Sequence, residues 1–289
     1  MNGFDYFEPK TVAKACELLD KFDDAKVLAG GVSLLVMLRN KLLFPKQIIN
    51  LKTIKGLDRI ERKRDGSAVI GALCRHRDIA SSPLIKEKYK FLAEAASKIG
   101  SPPIRNMGTI GGNICHSDPT ADLPPVLIAL NATLKIVSSK GDRTIHIHDF
   151  FSNYYENVLK KNEILTAIHL PPLPSFAAGS YLKLQKTATS VSIVGVGALL
   201  SVDRDCICKC AGLGVGACSS TPLKIEAMNR LIGKKVDDNL IDSIASAAMD
   251  QCQPITDVFA SARYRREMAG VLVKRALSTT FEKSIKQLS

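Results

Sequence analysis

Two stretches decide the fold of this chain: Ala29-Gly30-Gly31-Val32-Ser33-Leu34, and Gly108-Thr109-Ile110-Gly111-Gly112-Asn113. Each contains tandem glycines beside a hydroxyl residue. Because glycine has no Cβ, it lets the main chain approach a ligand closely and adopt positive φ. Successive backbone N–H groups in such a turn form a concave site for an anion. Two turns far apart in sequence suit a diphosphate held from both sides, which predicts a dinucleotide, with FAD as the leading candidate.

A β-turn-α-β unit surrounds the first turn. Residues 25–29 have the pattern of a short buried strand, residues 34–38 that of a helix, and residues 47–51 that of a second strand. A helix that leaves the turn directs its N-terminal N–H groups at the same anion. Lys26 lies close enough along the chain to offer a cation. The unit therefore predicts one half of the ligand site.

The remaining chain alternates strands and helices, and a proline cluster divides it. Asp65-Gly66 is typical of a hairpin turn, and residues 83–99 carry apolar residues at the spacing of one helix. Pro171-Pro172 marks a domain boundary. After it come three strand-like runs and then helical stretches, which predict an antiparallel sheet covered by helices. The predicted strands are residues 180–185, 191–202 and 206–217, and the predicted helices are residues 223–231, 239–251 and 259–277.

The charge and the composition are those of a globular protein with a basic surface. The net charge is +12 in 289 residues, and the pI is about 9.3. A basic nucleic-acid-binding module is one alternative, but the cations are spread along the chain without a recognisable nucleic-acid motif, so we expect no nucleic-acid partner. The first residues lack the pattern of a secretory signal and no segment is predicted to span a membrane. With eight cysteines in addition, the expected location is the reducing cytoplasm.

Several other motifs have plain structural explanations. Cys206, Cys208 and Cys210 alternate, which on a strand places all three thiols on one face. Such neighbours lie about 6–7 Å apart, whereas zinc–sulfur bonds are about 2.3 Å long, so we expect a buried strand and no metal. Residues 212–217 imitate a dinucleotide fingerprint, but no helix follows directly, which favours strand glycines in close backbone contact. His116 is expected to be a hydrogen-bonding loop histidine, although a position near the cofactor is the alternative.

A third stretch completes a resemblance to a known family. Together with both turns, Ser261-Ala262-Arg263-Tyr264-Arg265-Arg266-Glu267-Met268-Ala269 makes the sequence resemble the flavin-binding medium subunit of the molybdenum hydroxylases. The resemblance covers essentially the whole length. It implies an α+β fold of the vanillyl-alcohol-oxidase/MurB type (PCMH-type), made of two α+β subdomains. It also implies a small C-terminal α+β domain with a three-stranded antiparallel sheet. The expected units are residues 1–55, 56–174 and 175–289.

The resemblance also implies a division of labour between subunits. A large subunit oxidises the substrate at a molybdopterin cofactor, and a small subunit carries electrons through [2Fe-2S] clusters. The chain studied here would bind FAD and pass the electrons to an external acceptor, with the assembly a dimer of heterotrimers. No insertion bearing an additional cluster is visible between Asn113 and Pro171, so no iron–sulfur cluster is expected on this chain. A self-contained flavin oxidase or reductase of the same fold is the alternative.

The resemblance assigns the candidate site residue by residue. None of them is expected to act as an acid, a base or a nucleophile, because the isoalloxazine of FAD performs the electron chemistry. Asp122 would accept hydrogen bonds from sugar hydroxyls, and Leu165 and Lys183 would lie near the ring system. Val191 stands where relatives often have an aromatic residue that covers the flavin. The expected cofactor-binding residues are Lys26, Val27, Leu28, Ala29, Gly30, Gly31, Val32, Ser33, Leu34, Thr109, Ile110, Gly111, Gly112, Asn113, Asp122, Leu165 and Lys183.

The sequence leads to a specific expectation for a substitution at Gly111. A valine at this position would place a branched side chain in the second turn. We expect it to block the approach of the ligand and to disfavour the backbone conformation that the turn requires.

Overall fold

The N-terminal part of the chain forms a small parallel sheet. The structure is a computed structural model that describes residues 3–288. Its first sheet has the order β1–β3–β2, from β1 (Asp5–Phe7), β2 (Ala25–Leu28) and β3 (Gln47–Asn50). The predicted strand-turn-helix-strand unit is present, with β2 and β3 as parallel neighbours. β1 was not predicted, because three residues are too few for a periodic pattern.

Two helices belong to this unit. Helix α1 (Val12–Lys21) begins where the Thr11 side chain accepts a hydrogen bond from the Lys14 N–H. It buries one face against the sheet. Helix α2 (Val32–Arg39) leaves the first glycine turn at Gly31, which has φ +85° and serves as its N-cap residue. Gly31 is the one residue of the turn with a left-handed φ, and this dihedral angle is what requires glycine there.

The middle part of the chain is built on an antiparallel sheet with the strand order β4–β5–β10–β6–β7. Strand β10 pairs with β5 on one side and with β6 on the other, and its pairing with β6 shifts register at Leu165. A short ribbon of β8 and β9 lies outside this sheet. The strands are β4 (Ile60–Arg62), β5 (Ala68–Gly71), β6 (Thr133–Ser138), β7 (Gly141–His146), β8 (Phe151–Asn153), β9 (Glu156–Asn157) and β10 (Ile164–Leu170).

Short helices pack over the apolar side of this sheet and form one core with it. The single helix predicted for residues 83–99 is wrong: two helices meet at Tyr89, whose ring is buried and whose hydroxyl donates to the Pro171 carbonyl at 2.8 Å. The helix is interrupted at Tyr89, and this break lets the tyrosine side chain be buried. The helices are α3 (His76–Ser81), α4 (Pro83–Lys88), α5 (Lys90–Ser97), α6 (Pro102–Met107), α7 (Ile110–His116) and α8 (Leu123–Ala129).

The C-terminal part of the chain contains an antiparallel sheet and two long helices. The sheet order is β11–β12–β13–β14, so the expected three-stranded sheet gains a fourth strand. This short strand and a 3-10 helix, Glu226–Leu231, replace the helix predicted for residues 223–231. Helix α10 packs along β11 and β12. The elements are β11 (Ala177–Leu184), β12 (Val194–Val202), β13 (Cys208–Gly216), β14 (Leu223–Lys224), α9 (Asp238–Gln251) and α10 (Ala262–Lys286).

Glycines on β13 bring the C-terminal sheet against helix α8. A Cβ on Gly214 would lie 2.2 Å from the Pro125 carbonyl oxygen, and one on Gly212 would lie 2.0 Å from that of Ala129. Side chains at these positions would push the helix away from the sheet. The prediction that this glycine run makes close backbone contacts is therefore confirmed. The contact fixes the start of α8, where Asp122 lies.

The three alternating cysteines do not share one face, contrary to the expectation. Cys206 precedes β13 with φ +61°, and the pairing of β13 with β12 shifts register near Cys208. Cys208 lies in the core of the C-terminal part, whereas Cys210 packs against the core of the middle part. The register shift turns the two thiols to opposite sides. Within the described part of the chain, no group of three or more His, Cys, Asp or Glu could hold a metal ion.

Arg265 connects helix α10 to two distant segments. Its side chain is only 3% exposed, and its Nη1 donates to the Ile193 carbonyl at 2.7 Å and to the Ala217 carbonyl at 3.3 Å. Its Nη2 donates to Asp257 Oδ2 at 2.6 Å. Ile193 adjoins the segment that reaches the cavity described below, so Arg265 also supports that segment.

We expect Arg265→Met to lower the free energy of unfolding by about 2–4 kcal/mol, because it leaves buried carbonyls and a carboxylate without their donor. Chemical denaturation would measure this loss. The matched control is Arg263→Met, since the Arg263 side chain is 90% exposed and pairs with Glu267; its stability should stay close to that of the unmodified chain. Equal stabilities of the two variants would contradict the structural role of Arg265.

Candidate cofactor-binding site

Both glycine turns line one cavity of about 530 Å³, a volume within the usual range of ligand pockets of about 300–1,000 Å³. The turns also touch each other. A Cβ on Gly30 would lie 2.2 Å from the Met107 carbonyl oxygen and 3.0 Å from the Gly108 Cα. The two backbones can approach this closely only because glycine stands there. The turns are far apart in sequence and form one continuous wall.

The first turn presents an open helix N-terminus to the cavity. Gly31 makes no side-chain capping bond for α2, and the next three residues, Val32, Ser33 and Leu34, line the cavity. The first N–H groups of a helix have no partner within it. They are therefore oriented toward the cavity as donors, together with the positive end of the helix dipole. Lys26 also lines the cavity.

The second turn is more tightly built. The Thr109 hydroxyl accepts a hydrogen bond from the Gly112 N–H at 3.1 Å and so caps helix α7. Gly111 instead faces the sheet: its N–H donates to the Ala72 carbonyl at 2.8 Å, and a Cβ would lie 2.6 Å from that of Ala72. The φ of Gly111 is not in the left-handed region. The part of the expectation that concerns the dihedral angle of Gly111 is therefore wrong, and a side chain at this position would meet the sheet.

Two buried polar atoms in the cavity wall lack a hydrogen-bond partner within residues 3–288. They are Oδ1 of Asn113 and Nδ1 of His76. Burial, together with the nearby charge of Arg105, lowers the pKa of His76 to about 4. The imidazole is therefore neutral near pH 7. Buried polar groups are usually paired, so such atoms in the wall are suited to a ligand.

A buried ion pair closes another part of the wall. Lys183 Nζ donates to Asp122 Oδ2 at 3.0 Å, and the two side chains are only 2% and 7% exposed. The other carboxylate oxygen, Oδ1, accepts from the Tyr181 hydroxyl at 2.5 Å and from the Ser192 hydroxyl at 2.9 Å. Burial and the Asp122 charge raise the pKa of Tyr181 well above its ordinary value. The phenol therefore stays protonated and donates.

Val191 lies beside this pair. It lines the cavity and is 40% exposed. Thr189 and Ser190 precede it in the same segment. Leu165 lines the cavity from β10, where the strand pairing shifts register. The wall thus includes residues from every part of the chain.

Most of the expected site residues come together here, and two do not. Leu28 and Ile110 lie outside the cavity wall. The side chain of Ile110 is fully buried in the core of the middle part, and the carbonyl of Leu28 accepts from the Leu51 N–H. The residues in the wall are Lys26, Val27, Ala29, Gly30, Gly31, Val32, Ser33, Leu34, Thr109, Gly111, Gly112, Asn113, Asp122, Leu165 and Lys183.

Sequence reasoning missed other parts of the wall. The expected site includes neither His76 nor the segment around helix α6, although Ile99, Gly100 and Ile104 line the cavity. The prolines Pro102 and Pro103 directly before the second turn are a helix-start signal that indicates this segment. His116 also lines the cavity, and its ring lies against that of Tyr155 at 5.3 Å.

Comparisons with known proteins agree with this architecture. The family model described as "FAD binding domain in molybdopterin dehydrogenase" matches residues 2–173, and "CO dehydrogenase flavoprotein C-terminal domain" matches residues 179–280. The glyceraldehyde dehydrogenase medium chain of Sulfolobus acidocaldarius is 34% identical over 94% of this chain and 96% of its own length. The carbon monoxide dehydrogenase medium chain of Hydrogenophaga pseudoflava is 33% identical over 96% and 97%.

The solved structures give the same result. The structure of carbon monoxide dehydrogenase from Hydrogenophaga pseudoflava superposes with a TM-score of 0.94 at 33% identity, covering 97% of this chain and 98% of that one. The expected fold class is thereby confirmed. Among residues 3–288, no helix is both long and apolar enough to cross a membrane. The chain is an oxidoreductase subunit whose cofactor is FAD, and it belongs to the family of FAD-binding medium subunits of the molybdenum hydroxylases.

Proposed function

We propose that this chain accepts electrons from [2Fe-2S] clusters on a small subunit and passes them from FAD to an external acceptor. A large subunit with a molybdopterin cofactor oxidises the substrate. The medium chains of glyceraldehyde and carbon monoxide dehydrogenases, similar over nearly their whole length, support this assignment. We further propose a dimer of heterotrimers in the cytoplasm. The observation that carries the proposal is the single cavity bounded by both glycine turns.

The two turns are proposed to hold the diphosphate of FAD. When bound, FAD supplies the electron-transfer chemistry, and the protein positions and tunes it. The open N-terminus of α2 offers backbone donors from Val32 and Ser33. On the opposite side, Gly112 leaves room for a phosphate, since a Cβ there would project into the space between Thr109 Oγ1 at 2.9 Å and Ala29 Cβ at 3.9 Å. The Thr109 hydroxyl still has its own proton to donate.

Other wall residues fit the remaining parts of the cofactor. The unpartnered Asn113 Oδ1 is placed to accept a hydrogen bond from a hydroxyl of FAD. Lys26 offers a cation to the diphosphate. Asp122 and Lys183 are proposed to face the sugar and the ring system, with Leu165 in apolar contact. An ionised carboxylate has about four acceptor positions, and three hydrogen bonds occupy Asp122, which leaves one for a sugar hydroxyl.

We also propose that the chain works as three units: residues 1–55 and 56–174 hold FAD, and residues 175–289 complete the site. Each range contains its own sheet, which supports this division. Lys183 and Val191 come from the third unit, and both line the cavity. On this division, the third unit would be part of the site, because it supplies Lys183 to the ion pair with Asp122 in the cavity wall.

Gly111 and Gly112 allow the ligand role to be separated from the packing role. Gly112→Ala should raise the dissociation constant for FAD at least tenfold, about 1.4 kcal/mol, because its methyl group enters the cradle; its cost in stability is the displacement of the Thr109 hydroxyl, 2.9 Å away, from its capping position. Gly111→Ala should instead lower the free energy of unfolding by about 1–3 kcal/mol, since its methyl group meets Ala72. FAD titration and denaturation of the apoprotein measure the two effects. Unchanged FAD affinity in Gly112→Ala would contradict the cradle.

Asp122→Ala should weaken FAD binding by about 1.5–3 kcal/mol, the usual size of a hydrogen bond to a charged group. The substitution also leaves the buried Lys183 ammonium without its partner. Quenching of flavin fluorescence on binding gives the affinity. Asp142→Ala is the matched control, because it removes a surface carboxylate paired with Lys135 at 2.8 Å; it should bind FAD like the unmodified chain. Equal affinities of both variants would disprove the role of Asp122.

The subunit assignment predicts the composition of the native assembly. A tagged copy of the chain, isolated gently from its own cells, should retain a larger and a smaller chain. The isolated complex should contain molybdenum, iron and one FAD per copy of this chain, measured by metal analysis and visible absorbance. A colourless chain that purifies alone and does not bind added FAD would overturn the proposed function.

A further inference from the structure

We propose that Tyr181 and Ser192 are positioning residues for the redox cofactor, acting through Asp122 to hold the Lys183 ammonium in place at the cavity wall. In that position, the ammonium favours the reduced form of the flavin. The inference rests on the proposed function, because it takes FAD as the occupant and places Lys183 beside its ring system. Neither hydroxyl residue is in the cavity wall. Their effect on the cofactor is therefore indirect.

The arrangement joins three separate segments. Asp122 precedes α8, Lys183 and Tyr181 lie two residues apart on β11, and Ser192 precedes β12. Residues two apart on a strand ordinarily point to the same side, and here both side chains reach the same carboxylate, one at each oxygen. Tyr181 and Ser192 are 2% and 1% exposed, so water does not compete for their hydrogen bonds.

The hydroxyl groups balance the charge of the carboxylate. Removing a donor from a buried carboxylate leaves an acceptor position without compensation, which is costly in a site closed to water. Asp122 then interacts more strongly with its remaining donors, and among them Lys183 is the one that carries a charge. The ammonium is drawn toward the carboxylate, and less of its positive potential reaches the cavity. The field of Lys183 at the cofactor thus depends on the two hydroxyl groups.

Further contacts hold the Lys183 side chain in one position. Its ammonium is also 3.5 Å from the Lys98 carbonyl. Lys98 in turn donates to the Tyr181 carbonyl at 3.3 Å, and its Nζ lies 5.5 Å from the centroid of the Tyr181 ring. These contacts restrict the long side chain before any ligand binds. A fixed cation beside a flavin stabilises the additional electron density of the reduced form, one of the ways in which proteins tune this cofactor.

The chain offers matched controls for both residues. Tyr89 is a second buried tyrosine, 1% exposed, whose hydroxyl donates to the Pro171 carbonyl and not to Asp122. Ser180 is a second buried serine, whose hydroxyl donates to the Ala276 carbonyl at 3.0 Å. Tyr89→Phe and Ser180→Ala therefore remove the same groups from the core without touching the ion pair. They report the purely structural cost of losing a buried hydroxyl.

The experiment measures the midpoint potential and the affinity of FAD in the full chain, by reductive titration against a reference dye. We expect Tyr181→Phe and Ser192→Ala each to weaken binding of reduced FAD about tenfold relative to oxidised FAD. For a two-electron couple this lowers the potential by about 30 mV. Tyr89→Phe and Ser180→Ala should keep the potential of the unmodified chain. In a Lys183→Met background, the shift caused by Tyr181→Phe should disappear.

The outcomes separate this inference from the proposed function. If the unmodified chain does not bind FAD, the proposed function itself fails. If it binds FAD but Tyr181→Phe and Ser192→Ala behave like the two controls, the positioning role is overturned. A shift that persists in the Lys183→Met background also overturns it, since the hydroxyls would then act without Lys183. Should Tyr181→Phe not fold, Ser192→Ala decides the matter alone, because it removes only one small hydroxyl group.

Discussion

The close approach of two backbones, Gly30 against Met107 and Gly108, is the constraint on which the rest of the site depends. A Cβ at Gly30 would fall 2.2 Å from a carbonyl oxygen, so a larger residue would separate the turns. Once they are in contact, the first N–H groups of α2 face a cavity that the second turn borders. In the second turn, the N–H groups of Gly111 and Gly112 already donate to the Ala72 carbonyl and the Thr109 hydroxyl, so the backbone donors of the cavity come from α2. The positions of these α2 donors are set by the backbone, with no side-chain conformational entropy to lose. Backbone N–H groups fixed in this way are suited to bind the negative charge of a diphosphate.

A second close approach sets the other end of the site. The glycines of β13 admit the backbone of α8, and the start of this helix places Asp122 beside β11. A long flexible lysine would lose much conformational freedom on binding a ligand. Here the contacts with Asp122 and Lys98 restrict Lys183 in advance. Backbone glycines in one element therefore determine where a charge stands in another.

Local patterns made several strands, the turns and most of the residues that line the cavity predictable from the sequence. The parallel pairing of β2 and β3 followed from a turn and two apolar runs. Long-range effects were not predictable. The break at Tyr89 depends on a partner at Pro171, and the separation of Cys208 from Cys210 depends on a register shift in a neighbouring strand. The hydrogen bonds of Asp122 likewise come from residues 59 and 70 positions away.

The same reasoning explains why Gly111 and Gly112 are not equivalent although they are adjacent. A helix turns successive residues by about 100°, so one faces the sheet while the next faces the cavity. Gly111 serves the contact with Ala72, and Gly112 leaves space between the two turns. This pair of adjacent glycines therefore makes two close approaches in different directions. Gly112 faces the space between the turns, and the contact of Gly111 with Ala72 sets this orientation.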